Sequence, residues 1–144
     1  MTEKQTLPSD AAARNDYPLD DGLVGYFASA LLEVAKVSKI GNDQHNPGQP
    51  MHWDRSKSKD HGNKILRHQF DAGKMDTDNT RHSAKVAWRA LAQLQEELER
   101  EGAPVARNAR NAEPVVQVIP ESVQERAVEI LTEREVTPKQ SRVG

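Results

Sequence analysis

The sequence predicts an all-α protein built from three helices. Apolar side chains recur at spacings of three and four residues over about 23–40, 60–71 and 80–101, which is the period of an amphipathic helix. A glycine follows each of these stretches, as is common where helices end. At 144 residues the chain has the length of about one domain. We therefore expect a helical bundle with loosely structured segments at its two ends.

The first helix is predicted over about 23–40. Its apolar stripe consists of Leu23, Phe27, Leu31 and Val34. Gly41 is expected to end this helix, because a glycine just past a periodic run commonly does so. Residues 41–59 contain two further turn-forming prolines and show no sustained period, which predicts a long loop. Loops of that length inside a folded domain tend to be functional or disordered, and the tryptophan within this one favours function.

The second helix is predicted over about 60–71. The side chains expected on its inner side are Ile65, Leu66, Gln69 and Phe70. An acidic turn over 75–80 leads into the third helix, at about 80–101, which a Gly-Ala-Pro segment terminates. The apolar stripe of this helix contains Ala84, Ala87, Trp88, Leu91, Leu94, Gln95 and Leu98. We expect Trp88 and the three leucines to be buried.

Three segments follow from this pattern. They are a polar N-terminal arm at 1–22, a helical core at 23–102, and a linker with a C-terminal tail at 103–144. The tail contains a short β-like run at 115–119 and an amphipathic pattern at 121–135. It is predicted either to be disordered or to dock on a neighbouring subunit.

The composition excludes several classes of protein. Twenty basic residues against 22 acidic ones give a net charge of -2, which argues against a general nucleic-acid or anionic-lipid surface. The chain has no cysteine, so disulfides and thiolate metal sites are excluded. It shows no membrane-spanning stretch and no secretory signal pattern, so we expect a cytoplasmic protein. Only 35% of the residues are hydrophobic, which predicts a thin core that subunits share.

The middle of the chain carries the residues best suited to chemistry. All five histidines lie there: His45, His52, His61, His68 and His82. The acidic groups that could join them are Glu33, Asp60, Asp71, Asp76 and Asp78. Mg²⁺ and Mn²⁺ prefer several oxygen ligands that converge from different elements, so these carboxylates are candidate metal ligands. Asp76 and Asp78 fit turn formation and capping equally well.

Basic side chains that could hold phosphate are also concentrated here. They are Lys36, Lys39, Arg55, Lys57, Lys59, Arg67, Lys85 and Arg89. His82, Lys85 and Arg89 fall at i, i+3 and i+7, so they share one face of the third helix. A charged helical face is often merely solvated. The sequence contains no P-loop motif, so any phosphate chemistry is of another kind.

The polar residues over about 28–100 form a pattern that resembles a phage enzyme family. The pattern runs Ala30-Leu31-Leu32-Glu33-Val34-Ala35, Gly41-Asn42, Gln44-His45-Asn46-Pro47-Gly48, His52-Trp53, Arg55-x-Lys57-Ser58-x-Asp60-His61, Arg67-His68, Asp76-Thr77-Asp78 and Arg81-His82-Ser83-Ala84-Lys85-Val86-Ala87-Trp88-Arg89-Ala90-Leu91. It is similar to the dATP/dGTP diphosphohydrolases, distant relatives of the MazG all-α pyrophosphohydrolases. One branch of this family, MazZ, serves phages that replace adenine by 2-aminoadenine.

The resemblance implies an oligomeric MazG-like bundle, a homodimer or homotetramer, in the cytoplasm of an infected host. It implies cleavage of dGTP, and of dATP, between the α and β phosphates with Mg²⁺ or Mn²⁺. The monophosphate dGMP would then serve 2-aminoadenine nucleotide synthesis. Glu33 matches the first glutamate of the MazG Glu-x-x-Glu motif, whereas Lys36 stands at the second position. No Glu-x-x-Asp motif occurs in the second or third helix.

The roles that follow from the resemblance fall into three groups. The catalytic residues would be Glu33, Lys36, Asp76 and Lys85. The metal ligands would be Glu33, Asp60, Asp76, Asp78 and His82. The substrate-binding residues would be His45, Asn46, Trp53, Arg55, Lys57, Arg67, His68 and Arg89. Among them Trp53 or His45 would stack on the base, and a purine would stack better than a pyrimidine.

Two other functions remain open from the sequence. A non-enzymatic phage helical adaptor would explain the charge-rich helices, but not the concentration of histidine and aspartate. An HD-type phosphohydrolase needs adjacent His-Asp ligands, for which Asp60-His61 is a near match without the further histidines. A nucleic-acid-binding module is less favoured because the chain is slightly acidic and has few aromatic residues.

Overall fold

The computed structural model describes residues 5–57 and 59–111, together with Arg126, Val128 and Thr132. The helices are α1 (Ala11–Arg14), a π-helical turn (Leu19–Val24), α2 (Gly25–His45), a 3₁₀ turn (Arg55–Lys57), α3 (His61–Phe70) and α4 (His82–Arg100). The strands β1 (Trp53–Asp54) and β2 (Ala109–Arg110) form a short parallel pair. The expected all-α class is confirmed, since most of the described residues are helical and only two short strands occur among them.

Helix α2 is longer than predicted at its C-terminal end. It continues through Gly41 to His45, and the residue that follows, Asn46, has non-helical backbone angles. Asn46 precedes Pro47, and the residue before a proline is disfavoured in the helical region, so this pair ends the helix. The prediction that Gly41 ends the helix is wrong because glycine permits a stop without enforcing one. The first part of α2 is kinked at Phe27.

Helix α3 has the predicted bounds to within one residue but turns a different face inward. Leu66, Gln69 and Phe70 are exposed, the last by 89% of its surface, so their predicted inward position is wrong. His61, Lys64, Ile65 and His68 are the side chains of α3 that are buried or half-buried. The helix packs on α4 through this mixed polar face. Polar groups with partners can form an inner face, which hydrophobic periodicity does not detect.

Helix α4 also has nearly the predicted bounds, and its alanines form the buried hydrophobic core. Ala84 and Ala92 are the buried hydrophobic residues within the part of the chain that the structure describes. Trp88 is half-buried, whereas Leu91, Leu94 and Leu98 keep 52%, 49% and 43% of their surface exposed. The prediction that these leucines are buried is therefore wrong for the single chain. They line a broad cavity between α2 and α4 that the described residues do not fill.

The segment after α4 packs on the core. The Ala106 backbone N–H donates to Glu99, and Asn108 accepts a hydrogen bond from the Trp53 backbone N–H. Asn111 then donates to the Asp54 carboxylate. Residues 103–111 therefore hold β1 in place, although the sequence pattern assigned them to a linker.

The predicted terminal segments are described in part. The N-terminal arm contains α1, capped by the Asp10 carboxylate, and the π-helical turn that leads into α2. The β-like run at 115–119 lies outside the described residues. Of the pattern at 121–135 only Arg126, Val128 and Thr132 are described, and all three are helical. Among the described helices, none has the length and apolar character needed to cross a membrane.

Candidate metal and phosphate site

A cavity of about 770 Å³ opens between the C-terminal half of α2, the loop before β1, α3 and α4. Among the described residues, four basic side chains line it: Lys57, Lys64, Lys85 and Arg89. Two tryptophans and three histidines also line it: Trp53, Trp88, His45, His52 and His68. The cavity lies in the size range of small-molecule sites and combines aromatic surface with positive charge. That combination suits an anion that carries a flat ring.

The aromatic wall is held by specific contacts. The rings of Trp53 and Trp88 meet edge to face with their centroids 5.6 Å apart. The Trp88 Nε1–H donates to the Ser38 hydroxyl at 2.7 Å, which ties α4 to α2. The Arg89 guanidinium lies 5.0 Å from the centre of the Trp88 ring. Burial, followed by the nearby charge of Arg67, lowers the pKa of Arg89. The wall is therefore tied to α2 through Trp88 and carries a partly desolvated cation.

The turn between α3 and α4 places two aspartates around one lysine. Asp76 and Asp78 each accept a hydrogen bond from the Lys85 ammonium group, at 2.6 and 2.7 Å. The other oxygen of Asp78 accepts from the backbone and hydroxyl of Thr80, which is 1% exposed. The other oxygen of Asp76 accepts from the Thr77 backbone N–H at 2.6 Å. The turn-forming role and the charged role predicted for these aspartates therefore coexist.

These contacts fix the charge of the three groups. The bond from Lys85 and the backbone N–H of Thr77 lower the pKa of Asp76 to about 2. Burial opposes ionisation of Asp78, but the bonds from Lys85 and Thr80 still lower its pKa. Burial likewise opposes the charge of Lys85, and its bonds to the two aspartates outweigh this and raise its pKa. Two negative charges and one positive charge therefore stand together at neutral pH.

Two histidines complete a cluster with Asp76. The Nδ1 atoms of His68 and His82 are 2.9 Å apart, and the His82 Nδ1 is 3.9 Å from the Asp76 Oδ2. One potential ligand atom from each of the three residues lies within 4.8 Å of the others. Burial, followed by the charge of Lys85, lowers the pKa of His68, which favours the neutral imidazole that binds metals. This donor set fits a divalent metal.

The structure brings together part of the predicted metal set. Asp76, Asp78 and His82 lie in or beside this cluster. His68 also belongs to it, although the sequence analysis predicted that His68 binds the substrate. Glu33 lies outside the cluster, 40% exposed and with its carboxylate 3.9 Å from the Arg81 guanidinium. This position does not support its predicted role as a metal ligand. The hydrophobic pattern shows which side of a helix faces inward, but it does not show which residues of other elements that side contacts.

Lys36, Asp60 and Arg67 were also predicted to belong to the site, and each has contacts outside the cluster. Lys36 donates to the Asn79 backbone oxygen at 2.6 Å, so it anchors the aspartate turn to α2. Asp60 lies just before α3 in an exposed pair with Arg67, at 3.8 Å, and bonds to Asn63. Neither Asp60 nor Arg67 lines the cavity. Their predicted metal and substrate roles therefore have no geometric basis in this arrangement.

Arg55 has a different function from the predicted phosphate contact. It is buried and forms a two-pronged ion pair with Glu99, which is 3% exposed. Glu99 also accepts from the Gln95 amide and the Ala106 backbone N–H. Arg55 lies 4.2 Å above the Trp53 ring and does not line the cavity. Its guanidinium is used to position β1 against α4.

The loop that follows α2 contributes to the cavity lining and is held by hydrogen bonds. Lys57 donates to the His45 backbone oxygen at 2.8 Å and to the Asn46 side chain at 3.3 Å. Asn46 is buried and donates to Asn42. The predicted substrate contacts His45 and Asn46 thus lie beside Lys57, and all three line the cavity.

Two residues of the site were missed by the sequence analysis. Lys64 lines the cavity one turn before His68, and burial, followed by the charge of Arg89, lowers its pKa. The spacing of four between Lys64 and His68 was the available signal. Asn42 accepts from the His52 backbone and donates to the Gln49 oxygen, so it organises the loop.

Comparisons of the chain with family models, curated proteins and solved structures find no match.

Proposed function

We propose that the chain is a metal-dependent diphosphohydrolase that converts dGTP, and dATP, to the monophosphate and pyrophosphate. The observation that carries the proposal is the cavity in which Lys57, Lys64, Lys85 and Arg89 accompany two tryptophans beside the His68–Asp76–His82 cluster. A nucleoside triphosphate combines the same features, a flat base and a polyanionic tail. The resemblance to the phage dATP/dGTP diphosphohydrolases supports the same reaction.

The basic side chains are suited to the triphosphate. Lys64 and Arg89 are partly desolvated, so their attraction to phosphate oxygens is stronger than it would be in open water. Lys85 stands between the cavity and the aspartate turn. Groups that hold the β and γ phosphates together stabilise pyrophosphate as one leaving unit. This favours attack of water at the α-phosphorus.

The cluster and the aromatic wall complete the assignment. A divalent metal, when bound, would neutralise phosphate charge and lower the pKa of a coordinated water. His68, Asp76 and His82 would hold it, and Asp78 keeps Lys85 beside the cluster. The Trp53 and Trp88 wall offers a stacking surface for the base, which favours purines over pyrimidines.

The exposed apolar side chains support an oligomeric enzyme. Leu91, Leu94 and Leu98 are about half exposed along α4, and Tyr26 and Leu32 of α2 are more exposed still. Covering such side chains stabilises an assembly by about 25 cal/mol for each Å² of apolar surface buried. A homodimer or homotetramer would therefore give the thin core the burial that it lacks. Production of dGMP for 2-aminoadenine nucleotides would be the biological use.

The proposal is tested by incubating the full chain with each of the four dNTPs and Mn²⁺ or Mg²⁺ in ¹⁸O-labelled water. We expect dGMP or dAMP with pyrophosphate, and ¹⁸O on the nucleotide phosphate, because water attacks the α-phosphorus. Chromatography and mass spectrometry resolve these products. A nucleoside diphosphate product would contradict the assigned reaction, and equal rates on dCTP and dGTP would contradict base stacking on the tryptophan wall.

The second candidate is a helical adaptor, which the exposed apolar residues also favour. Tyr26, Leu32 and Phe70 have 75%, 73% and 89% of their surface exposed. An adaptor would release no pyrophosphate from any dNTP with either metal. The same assay therefore separates the two candidates.

A further inference from the structure

We propose that His68, Asp76 and His82 form a site for an octahedral divalent transition metal such as Mn²⁺, in preference to Mg²⁺, and that Lys85 competes with the metal for Asp76. The inference deepens the proposed function and rests on it for the use made of the metal. Metal binding itself can be measured without any hydrolysis.

The separation of the two imidazoles points to adjacent positions on one metal. Metal–nitrogen bonds are about 2.1 Å long, so two ligands at a right angle lie about 3.0 Å apart, and two tetrahedral ligands about 3.4 Å apart. The Nδ1 atoms of His68 and His82 are 2.9 Å apart. At this distance the two rings share one hydrogen bond, and a bound metal would replace it with two coordinate bonds.

The type of donor atom discriminates between metals. Mg²⁺ is bound through oxygen atoms and keeps several waters, whereas imidazole suits the first-row transition metals. Two histidines and one carboxylate occupy three positions of an octahedron and leave three for water or phosphate oxygens. The cluster thus has one oxygen donor in three, which disfavours Mg²⁺.

The backbone holds the three residues in place from separate elements. His68 lies in the last turn of α3, and His82 begins α4. Between them the turn is closed by hydrogen bonds from the Asp76 backbone N–H to Thr80, at 2.7 Å, and from the His82 backbone N–H to Lys74, at 3.1 Å. Asp76 is therefore fixed near His82 before any ligand arrives, which reduces the entropic cost of binding.

Lys85 opposes the metal because it uses the same oxygen. The Asp76 Oδ2 accepts the Lys85 ammonium group at 2.6 Å and is also the oxygen that lies 3.9 Å from the His82 Nδ1. A separation of 3.9 Å exceeds that of right-angled ligands, so the carboxylate must move by about 1 Å to bind. The movement weakens its bond to Lys85, which keeps Asp78 as a partner. The lysine thus acts as a resident cation that lowers metal affinity.

The experiment uses the full-length chain and Mn²⁺ alone. Histidine ring signals are followed by NMR as substoichiometric Mn²⁺ is added, and free Mn²⁺ is followed by electron paramagnetic resonance. We expect the signals of His68 and His82 to broaden before those of the other three histidines. A tenfold excess of Mg²⁺ should leave the broadening in place. Broadening first at His45, His52 or His61, or its loss with Mg²⁺, would overturn the proposal.

Variants give a second measurement. We expect His82→Ala to weaken Mn²⁺ binding more than about 100-fold, and Lys85→Met to tighten it about tenfold, because a positive charge beside Asp76 is removed. Matched controls are His52→Ala and Lys39→Met, whose side chains lie outside the cluster. Unchanged affinity in His82→Ala, or weaker binding in a folded Lys85→Met, would contradict the proposal.

The two proposals fail in different ways. Tight Mn²⁺ binding at His68 and His82 without hydrolysis of any dNTP would overturn the proposed function and support the metal site. Hydrolysis that runs with Mg²⁺ and persists in a folded His82→Ala variant would overturn the metal site and support the proposed function.

Discussion

Two charged clusters of this molecule use similar residues for different ends. Arg55 and Glu99 are both buried and satisfy one another with two parallel hydrogen bonds. Lys85 instead lies between Asp76 and Asp78, so one positive charge faces two negative ones at the edge of an open cavity. The first cluster is closed to any further ligand, and the second retains an excess of negative charge.

The difference shows how the location of a charge determines its use. A buried pair joined by two parallel hydrogen bonds contributes positioning, and loss of one partner leaves an unpaired charge inside the protein. Where negative charge is in excess beside two imidazoles and an open cavity, a positively charged ligand can balance it. The predictions below test this division between a structural and a functional cluster.

The largest effect is expected from Glu99→Gln. The variant leaves the Arg55 charge buried without its counter-charge, which should lower the free energy of unfolding by about 3–5 kcal/mol. The melting temperature followed by circular dichroism should fall by about 10 °C. At a temperature where the variant is folded, hydrolysis should be retained. A variant that melts normally but has lost hydrolysis would place Glu99 in the functional cluster instead.

The same pair should give the chain an acid-sensitive component of stability. The hydrogen bond from Arg55 lowers the pKa of Glu99 to about 2, from an ordinary value of 4.5. A carboxyl group whose pKa is lowered by folding stabilises the fold at pH values above its ordinary pKa. This contribution is lost as the pH falls from about 4.5 towards 2. Urea unfolding at several pH values should show a steeper acid loss in the wild type than in Glu99→Gln. Equal slopes would contradict the assignment.

Lys85→Met should act on the reaction more than on the fold. In the proposed reaction Lys85 holds the leaving phosphates, so its removal should reduce dGTP hydrolysis about 100-fold or more. The measurement is the initial rate at saturating Mn²⁺, with Lys39→Met as the matched control, because Lys39 pairs with exposed Asp43 outside the cavity. A fall in rate in both variants would indicate a general loss of charge rather than a role for this lysine.

Leu94→Glu tests the exposed stripe of α4. Leu91, Leu94 and Leu98 should each contribute about 1–2 kcal/mol when a second subunit covers them. We expect light scattering to give the mass of a dimer or tetramer for the wild type and a lower mass for the variant at micromolar concentration. A wild-type chain that remains monomeric would contradict the shared core.

The smallest effect is expected from Lys39→Met in a stability measurement. The Lys39–Asp43 pair lies on the exposed side of α2 with more than half of each side chain accessible. Exposed pairs of this kind contribute less than about 1 kcal/mol. Urea unfolding should show a change within about 0.5 kcal/mol of the wild type. A loss as large as that of Glu99→Gln would remove the contrast between buried and exposed pairs.

The helices were predictable because local signals determine them. The bounds of α3 and α4 follow from periodicity and flanking turn residues, and the structure has them within two residues of the prediction. The end of α2 was missed at Gly41 because the restriction imposed by Pro47 on Asn46 is the stronger effect. The inner face of α3 was missed because its polar residues find partners on other elements.

The candidate site was predictable as a region but not as a set of contacts. The concentration of histidine and aspartate between residues 45 and 82 did indicate where the cluster lies. The partner of a charged side chain depends on tertiary packing, so the pairing of Arg55 with Glu99, 44 residues apart, left no local signal. Glu33 was chosen from its place on a helix, whereas its distance from the cluster depends on how α2 meets the aspartate turn.

The parallel pairing of β1 with β2 bears on how the protein is made. Asn111 donates a hydrogen bond to Asp54 across 57 positions of the chain, and the Trp53 backbone N–H donates to the Asn108 backbone oxygen. Contacts between such distant residues form late, because a long loop must close first. During translation these contacts of β1 can therefore form only after residues 108–111 have left the ribosome, later than α3 and α4. Asn108, which precedes β2, lines the cavity, so a chain truncated after α4 would lack that part of the lining and the backbone partner of Trp53.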